Sequence, residues 1–201
     1  FRRHGLVLAS DEAYTEMYFG SPKPPSALEF AGKDFDGVVA FQSCSKRSAM
    51  TGWRVGWVAG DARLIALFKK VKTNVDSGTP TFIQDAAAAS LADETHVRAM
   101  RRDYRAKRDL LCAALSGLGF PDCRPAATLY VWQEAPKGMT GEQLALKLLA
   151  PAVGIVTTPG AWISEKGADG TNPGARYVRF ALVPSLPQVR EAARRLRRAF
   201  A

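Results

Sequence analysis

Cysteine and histidine are scarce in this chain: Cys44, Cys112 and Cys123 stand far apart, and so do His4 and His96. Three thiols with no Cys-x-x-Cys spacing make no even disulfide framework, so a reducing cytoplasm is the simpler setting. Two isolated histidines give no metal-ligand spacing, and no metal site is expected. Long apolar runs are also missing. No stretch approaches the roughly 18 uninterrupted apolar residues of a membrane span, and the start, Phe1-Arg2-Arg3-His4-Gly5, lacks the apolar core of a signal peptide. The sequence therefore predicts no membrane segment. Acidic residues are outnumbered, 19 against 28 basic, for a net charge of +9. The arginine clusters Arg101-Arg102, Arg105-Ala106-Lys107-Arg108 and Arg194-Arg195-Leu196-Arg197-Arg198 fall in helical patterns, one of them carrying the apolar stripe Val97, Met100, Tyr104, Leu111 and Leu115. They read as the solvated faces of amphipathic helices. No interleaved aromatic platform supports nucleic-acid binding.

What the chain does contain is a core's worth of apolar residues, 47% of its 201 positions, enough for one or two globular domains. The most informative stretch is Ser43-Cys44-Ser45-Lys46-Arg47-Ser48-Ala49-Met50-Thr51-Gly52-Trp53-Arg54-Val55-Gly56. It follows Gly37-Val38-Val39-Ala40-Phe41, which reads as a buried strand, so Lys46 leaves a sheet at a strand's carboxyl end, where open α/β sheets place ligands. A lysine amine forms a Schiff base with a carbonyl, including the aldehyde of pyridoxal phosphate. That cofactor also needs anchors for a phosphate, and Ser43 and Arg54 are suited to it as hydroxyl and bidentate cation. The competing reading is a surface lysine near a loop arginine.

Upstream, Leu6-Val7-Leu8-Ala9 reads as a second strand delivering Ser10-Asp11-Glu12-Ala13-Tyr14 to the same edge. A carboxylate facing a pyridine nitrogen keeps it protonated, and a tyrosine hydroxyl can donate to the ring's phenolate oxygen. A helix cap at Asp11 and a core aromatic at Tyr14 are the alternatives. Near the carboxyl end, Arg179 interrupts the apolar strand around Val178 and Phe180. Burying it requires an anion, whereas strand alternation could instead leave it on the solvated face of an edge strand.

Taken together, Asp11-Glu12-Ala13-Tyr14, Ser43-x-Ser45-Lys46 and Gly52-Trp53-Arg54-Val55-Gly56 closely resemble the class I/II aminotransferases of the fold-type I pyridoxal-phosphate family. Tyr177-Val178-Arg179-Phe180-Ala181 and the strand order extend the resemblance over essentially the whole chain. The resemblance implies pyridoxal 5'-phosphate as cofactor. It matches Asp11 to the pyridine-nitrogen partner, Tyr14 to the phenolate-oxygen partner, and Lys46 to the Schiff-base lysine. It matches Ser43 and Arg54, with Ser45 beside them, to the phosphate ligands, and Arg179 to the arginine that grips the substrate α-carboxylate. It also implies an α/β fold, the carboxyl-terminal part of a fold-type I transferase. A partial, mostly parallel sheet of the large domain (1–95) would be followed by a connector helix and a small α/β domain (96–201).

The resemblance further implies amino-terminal truncation. The family's glycine-containing phosphate loop, ring-stacking aromatic and Asn-Pro motif all precede the Asp-Glu-x-Tyr strand, and this sequence begins at Phe1, shortly before it. The implied reaction is a ping-pong transamination between an amino acid and a 2-oxo acid in a cytoplasmic homodimer. Thr73–Phe82 and Gly174–Ser185 resemble enzymes acting on diaminopimelate or its N-succinyl precursor, with glutamate and 2-oxoglutarate as the exchange pair. Related lyases and synthases share the scaffold, as do transcriptional regulators with an aminotransferase-like ligand domain.

Between the motifs, Ser21-Pro22-Lys23-Pro24-Pro25-Ser26 marks a loop and Gly52–Gly60 a third strand. Asp61 is expected to cap a helix to about Val71, followed by a polar loop, Thr73–Pro80, that the family places near the cofactor phosphate and the subunit interface. Helices are expected at Phe82–Leu91, from Thr95 to about Leu118, at Gly141–Leu149 and at Leu186–Phe200. Strands are expected at Thr128–Trp132, Ile155–Thr157 and around Arg179. Gly160, Trp162 and Gly170–Gly174 mark a long loop, read either as a substrate cover or as a surface excursion.

Overall fold

A computed structural model describes residues 1–20 and 22–200, so Ser21, the first residue of the proline-rich loop, lies outside the described residues. The chain divides into two compact units, Phe1–Met100 and Arg101–Ala201, each with its own three-stranded sheet.

In the first unit the strands are β1 (Leu8–Asp11), β2 (Val38–Ser43) and β3 (Gly56–Gly60), in that spatial order. Strand β2 is central, and Val38, Val39 and Ala40 are all buried, as an apolar run covered on both faces should be. Strand β1 runs parallel to it, Asp11 opposite Phe41, so both strands end at the same edge. Strand β3 is antiparallel, Ser43 opposite Gly56 and Val39 opposite Gly60. The expected mostly parallel sheet is therefore a mixed one. The chain turns back after β2 through Thr51–Trp53 on the edge it has just left, so β3 returns antiparallel beside it. Glycine ends β3 for a steric reason: at Gly60, with φ +146°, an added Cβ would lie 2.2 Å from the Val38 carbonyl oxygen.

Helices α1 (Cys44–Arg47), α2 (Ala62–Val75), α3 (Thr81–Ala92) and α4 (Thr95–Ser116) follow, the division between the units falling within α4. Asp61 caps α2 as expected: its carboxylate accepts the Arg63 amide at 2.8 Å and also the Gly37 amide at 2.9 Å, tying the helix to the start of β2. The helix runs past Val71 to Val75, so the expected polar loop is shortened. Thr73 and Asn74 lie within the helix, their side chains donating back to the carbonyls of Lys69 and Lys70, and Lys72 pairs with Asp76 at its end. None of its residues is buried, and Leu67, Phe68, Val71 and Val75 are exposed.

In the second unit β4 (Tyr130–Glu134), α5 (Gly141–Leu149), β5 (Thr158–Pro159), β6 (Tyr177–Ala181) and α6 (Leu186–Phe200) surround a core that includes Leu115, Val131, Leu144, Leu148, Val178 and Leu196. The sheet is antiparallel with β6 between β4 and β5. Burial alternates along β4 and β6: Val131, Gln133, Val178 and Phe180 point inward, and Tyr130, Trp132, Tyr177 and Arg179 take the other face. On α6, Val189, Ala193 and Leu196 are buried while Arg190, Arg194, Arg197 and Arg198 are exposed, so on this helix the arginines are the solvated face. The strand expected at Ile155–Thr157 forms instead at Thr158–Pro159. The Ile155 amide donates to the Leu148 carbonyl at 2.8 Å, so the chain first closes the end of α5 before it reaches β6.

Candidate active site

The parallel pairing of β1 and β2 puts Asp11, Tyr14, Ser43 and Lys46 beyond the same edge of one sheet. Asp11 ends β1 exposed, and its carboxylate accepts the Ala13 amide at 3.2 Å. The next residue turns inward. Glu12 is buried, 4% exposed, and its carboxylate accepts the Ala27 amide at 2.8 Å, the Gln42 amide nitrogen at 2.9 Å and the Ser26 hydroxyl at 3.0 Å. These bonds stitch the crossover between β1 and β2 to both strands, and they satisfy a carboxylate that would otherwise be costly to bury. A cleft of about 290 Å³ beside them is lined by Glu12, Gln42, Ser43, Arg47 and Trp57, among others.

Ser43 is the last residue of β2 and the cap of α1, its hydroxyl accepting the Ser45 amide at 3.1 Å. One turn later the Lys46 ammonium lies over the Tyr14 ring, 5.6 Å from its centroid, within cation–π range. Among the described residues no carboxylate pairs with Lys46. The pairing of Gly56 with Ser43 brings Arg54 back toward the same edge. Arg54 adopts a left-handed conformation, φ 53° and ψ 48°, uncommon for a residue with a side chain. Among the described residues its guanidinium has one hydrogen bond, to the Thr51 carbonyl at 2.9 Å, which leaves donors to spare for an anion. Thr51 in turn donates to the Ser45 carbonyl at 3.2 Å. The structure thus gathers Asp11, Tyr14, Ser43, Ser45, Lys46 and Arg54 in one unit.

Arg179 belongs to the other unit. The edge-strand alternative does not hold, because β6 is central: Arg179 faces Trp132 on β4 and Thr158 on β5. Its guanidinium sits 4.5 Å from the Tyr130 ring centroid, and Trp132 and Tyr177 stack at 5.6 Å on the same face. Among the described residues no carboxylate pairs with it. Nearby, the loop after β5 is pinned by Asn172, which donates to the carbonyls of Ala161 and Ser164 at 3.1 and 3.2 Å.

Two features of the first unit were not read from the sequence. Arg47 is buried, donates to the Ser90 carbonyl at 2.7 Å and pairs with Glu94. His96 links Ser48, at 2.9 Å, to Asp93, at 3.1 Å. The Thr95 amide first, then the His96 ring, hold the Asp93 carboxyl well below the usual carboxylate range. The available signal was Asp93 two residues before Thr95, a helix-entry pattern that fixes where His96 must point.

As a donor set, the first unit offers an amine for a carbonyl, a carboxylate for a protonated ring nitrogen, a phenol, and two hydroxyls with a guanidinium for a phosphate. Comparison with known proteins follows the same lines. Residues 1–196 match the family described as aminotransferase class I and II. The chain is 40% identical over 196 residues to LL-diaminopimelate aminotransferase 2 of Nostoc sp., covering 97% of this chain and 48% of that protein. It is 40% identical over 198 residues to LL-diaminopimelate aminotransferase of Syntrophobacter fumaroxidans, covering 98% and 49%. Among solved structures, an aminotransferase from Neisseria meningitidis superposes with a TM-score of 0.90 at 33% identity, covering 100% of this chain and 51% of that one. A probable N-succinyldiaminopimelate aminotransferase from Thermus thermophilus gives 0.82 at 30%, covering 98% and 51%. The chain spans about half the length of the relatives it matches.

Proposed function

This chain belongs to the class I and II aminotransferases, whose members use pyridoxal phosphate, and from that premise we propose that it carries the lysine half of a transaminase active site. The observation that carries the reading is Lys46 itself: an amine that pairs with no carboxylate among the described residues, held over the Tyr14 ring where two parallel strands end. The surrounding donors fit the cofactor. Ser43, Ser45 and Arg54 would hold its phosphate, Asp11 would pair with the pyridine nitrogen, and Tyr14 would donate to the phenolate oxygen. When bound, pyridoxal phosphate supplies an aldehyde for the amine and a ring that takes up the electron pair left when a Cα–H bond breaks.

Lys46 would hold the cofactor through its aldehyde, with loss of water, and as a free amine would remove and return the substrate Cα proton at Nζ. Asp11 would keep the ring nitrogen protonated. Arg179, on an aromatic face where no carboxylate of the described residues pairs with it, would bind the substrate α-carboxylate and fix which Cα bond meets the base. The substrates are an amino acid and a 2-oxo acid. The names of the relatives favour LL-diaminopimelate or its N-succinyl precursor as the amino-group substrate; glutamate and 2-oxoglutarate as the exchange pair, and a homodimeric assembly, are part of the same proposal.

Borohydride reduction of the whole protein with pyridoxal phosphate, followed by peptide mass spectrometry, tests the assignment. The pyridoxyl group is expected on Lys46, and Lys46→Ala should lose both the label and amino-group transfer to 2-oxoglutarate. Label on another lysine of the wild type would refute it.

A further inference from the structure

Helix α1 is a single turn, Cys44–Arg47, too short to be stable by its own hydrogen bonds. Something else must hold it. On one side Cys44, 1% exposed, packs with Met50 and Ala87 in a small apolar cluster. On another the Arg47 side chain, 10% exposed, reaches the carboxyl end of α3, donating to the Ser90 carbonyl at 2.7 Å and pairing with Glu94 just beyond it. Its Nη1 also meets the Ser48 hydroxyl at 3.2 Å, and that hydroxyl contacts the His96 ring, which Asp93 fixes from behind. Successive helical residues point about 100° apart, so a bond made by Arg47 holds the turn without occupying the space Lys46 uses.

We propose that Arg47 is a positioning residue for Lys46: its buried guanidinium clamps the turn to Ser90 and Glu94, with Ser48 and His96 as a second strap, and so fixes where the Lys46 amine is presented. The inference rests on the reading of Lys46 given above. It needs no contact between Arg47 and a cofactor or substrate. The geometry accounts for a cation buried beside a reactive lysine without placing it in the chemistry, because its donors are turned to Ser90, Ser48 and Glu94.

The test uses the whole protein and three variants: Arg47→Met, which keeps bulk and removes every bond; Arg47→Lys, which keeps a charge for Glu94 but loses the fork; and Arg63→Met, which breaks the pairs of Arg63 with Asp61 and Asp36 at the start of α2. Two quantities are read well below the melting temperature: the rate at which borohydride traps pyridoxal phosphate on Lys46, and the hydrogen exchange of the Ser48 amide, which donates to the Cys44 carbonyl at 3.0 Å. Arg47→Met should trap roughly tenfold more slowly, the loss expected for charged hydrogen bonds, and exchange the Ser48 amide faster. Arg47→Lys should fall between, and Arg63→Met should match the wild type in both. Wild-type trapping by Arg47→Met would overturn the clamp, and so would an equal loss in Arg63→Met, since general destabilisation would then explain the effect. If the wild type itself trapped the cofactor on another lysine, the functional reading would fail first.

Discussion

Arg179 shows how one residue's surroundings specify its ligand. Its guanidinium lies on a central strand over the Tyr130 ring and, among the described residues, pairs with no carboxylate, which is what the proposed binding of a substrate α-carboxylate requires. Arg179→Ala in the whole protein is expected to weaken binding of all α-carboxylate substrates together, by roughly 2–5 kcal/mol for a buried hydrogen-bonded pair. The measurement is kcat/KM across several amino acids, alongside binding of an amine that lacks the carboxylate. An equal loss for that amine would mean the variant had damaged the fold instead. Glu12 is the counter-example at the same scale. It stands next to Asp11 in sequence, yet its buried carboxylate is tied to Ala27, Gln42 and Ser26.

At the scale of the element, Asp61 links a helix start to a strand start. Its carboxylate is held well below the usual range, chiefly by the Arg63 side chain and then by the Gly37 amide. A carboxylate depressed in the folded state contributes stability that is fully present above its unfolded value, about 4, and is lost as pH falls below it. Asp61→Asn can still accept hydrogen bonds but cannot titrate. Thermal melts between pH 7 and pH 2.5 should therefore show a shallower loss of stability below about pH 4 than the wild type, from a lower starting point at pH 7. Parallel acid limbs in the two proteins would contradict the linkage.

The whole molecule is uneven in how it is held together. The second unit has a continuous apolar core reaching from Leu111 on α4 to Leu196 on α6, whereas the first gathers Cys44, Met50 and Ala87 in a much smaller cluster and leaves Leu67, Val71, Val75 and Phe82 exposed. Few buried contacts and exposed apolar surface mark regions that open at low free energy. Hydrogen exchange on the 201-residue chain is thus expected to show Val131, Val178 and Phe180 amides protected well beyond those of β1 and α2. A common exchange free energy in both units would show instead that the chain opens as one cooperative body.

Much of the candidate site was legible because its chemistry is written in short, contiguous motifs. Asp11 and Tyr14 lie three residues apart, Ser43 and Lys46 likewise, and a strand before each places both at one edge. The helix caps and the alternation around Val178-Arg179-Phe180 were legible for the same reason: they are local rules of backbone geometry. What one-dimensional pattern could not supply was anything set by which strand lies beside which. The antiparallel return of β3, the central place of β6 and the extension of α2 all depend on partners distant in the chain. So do the fates of the charged residues beside the motifs. Sequence alone determined which groups this protein has for chemistry. Only the tertiary structure decided that Glu12 and Arg47 are turned inward as ties while Asp11 stays exposed and Lys46 lies over the Tyr14 ring, because burial and pairing are properties of the assembled surroundings and not of the residue.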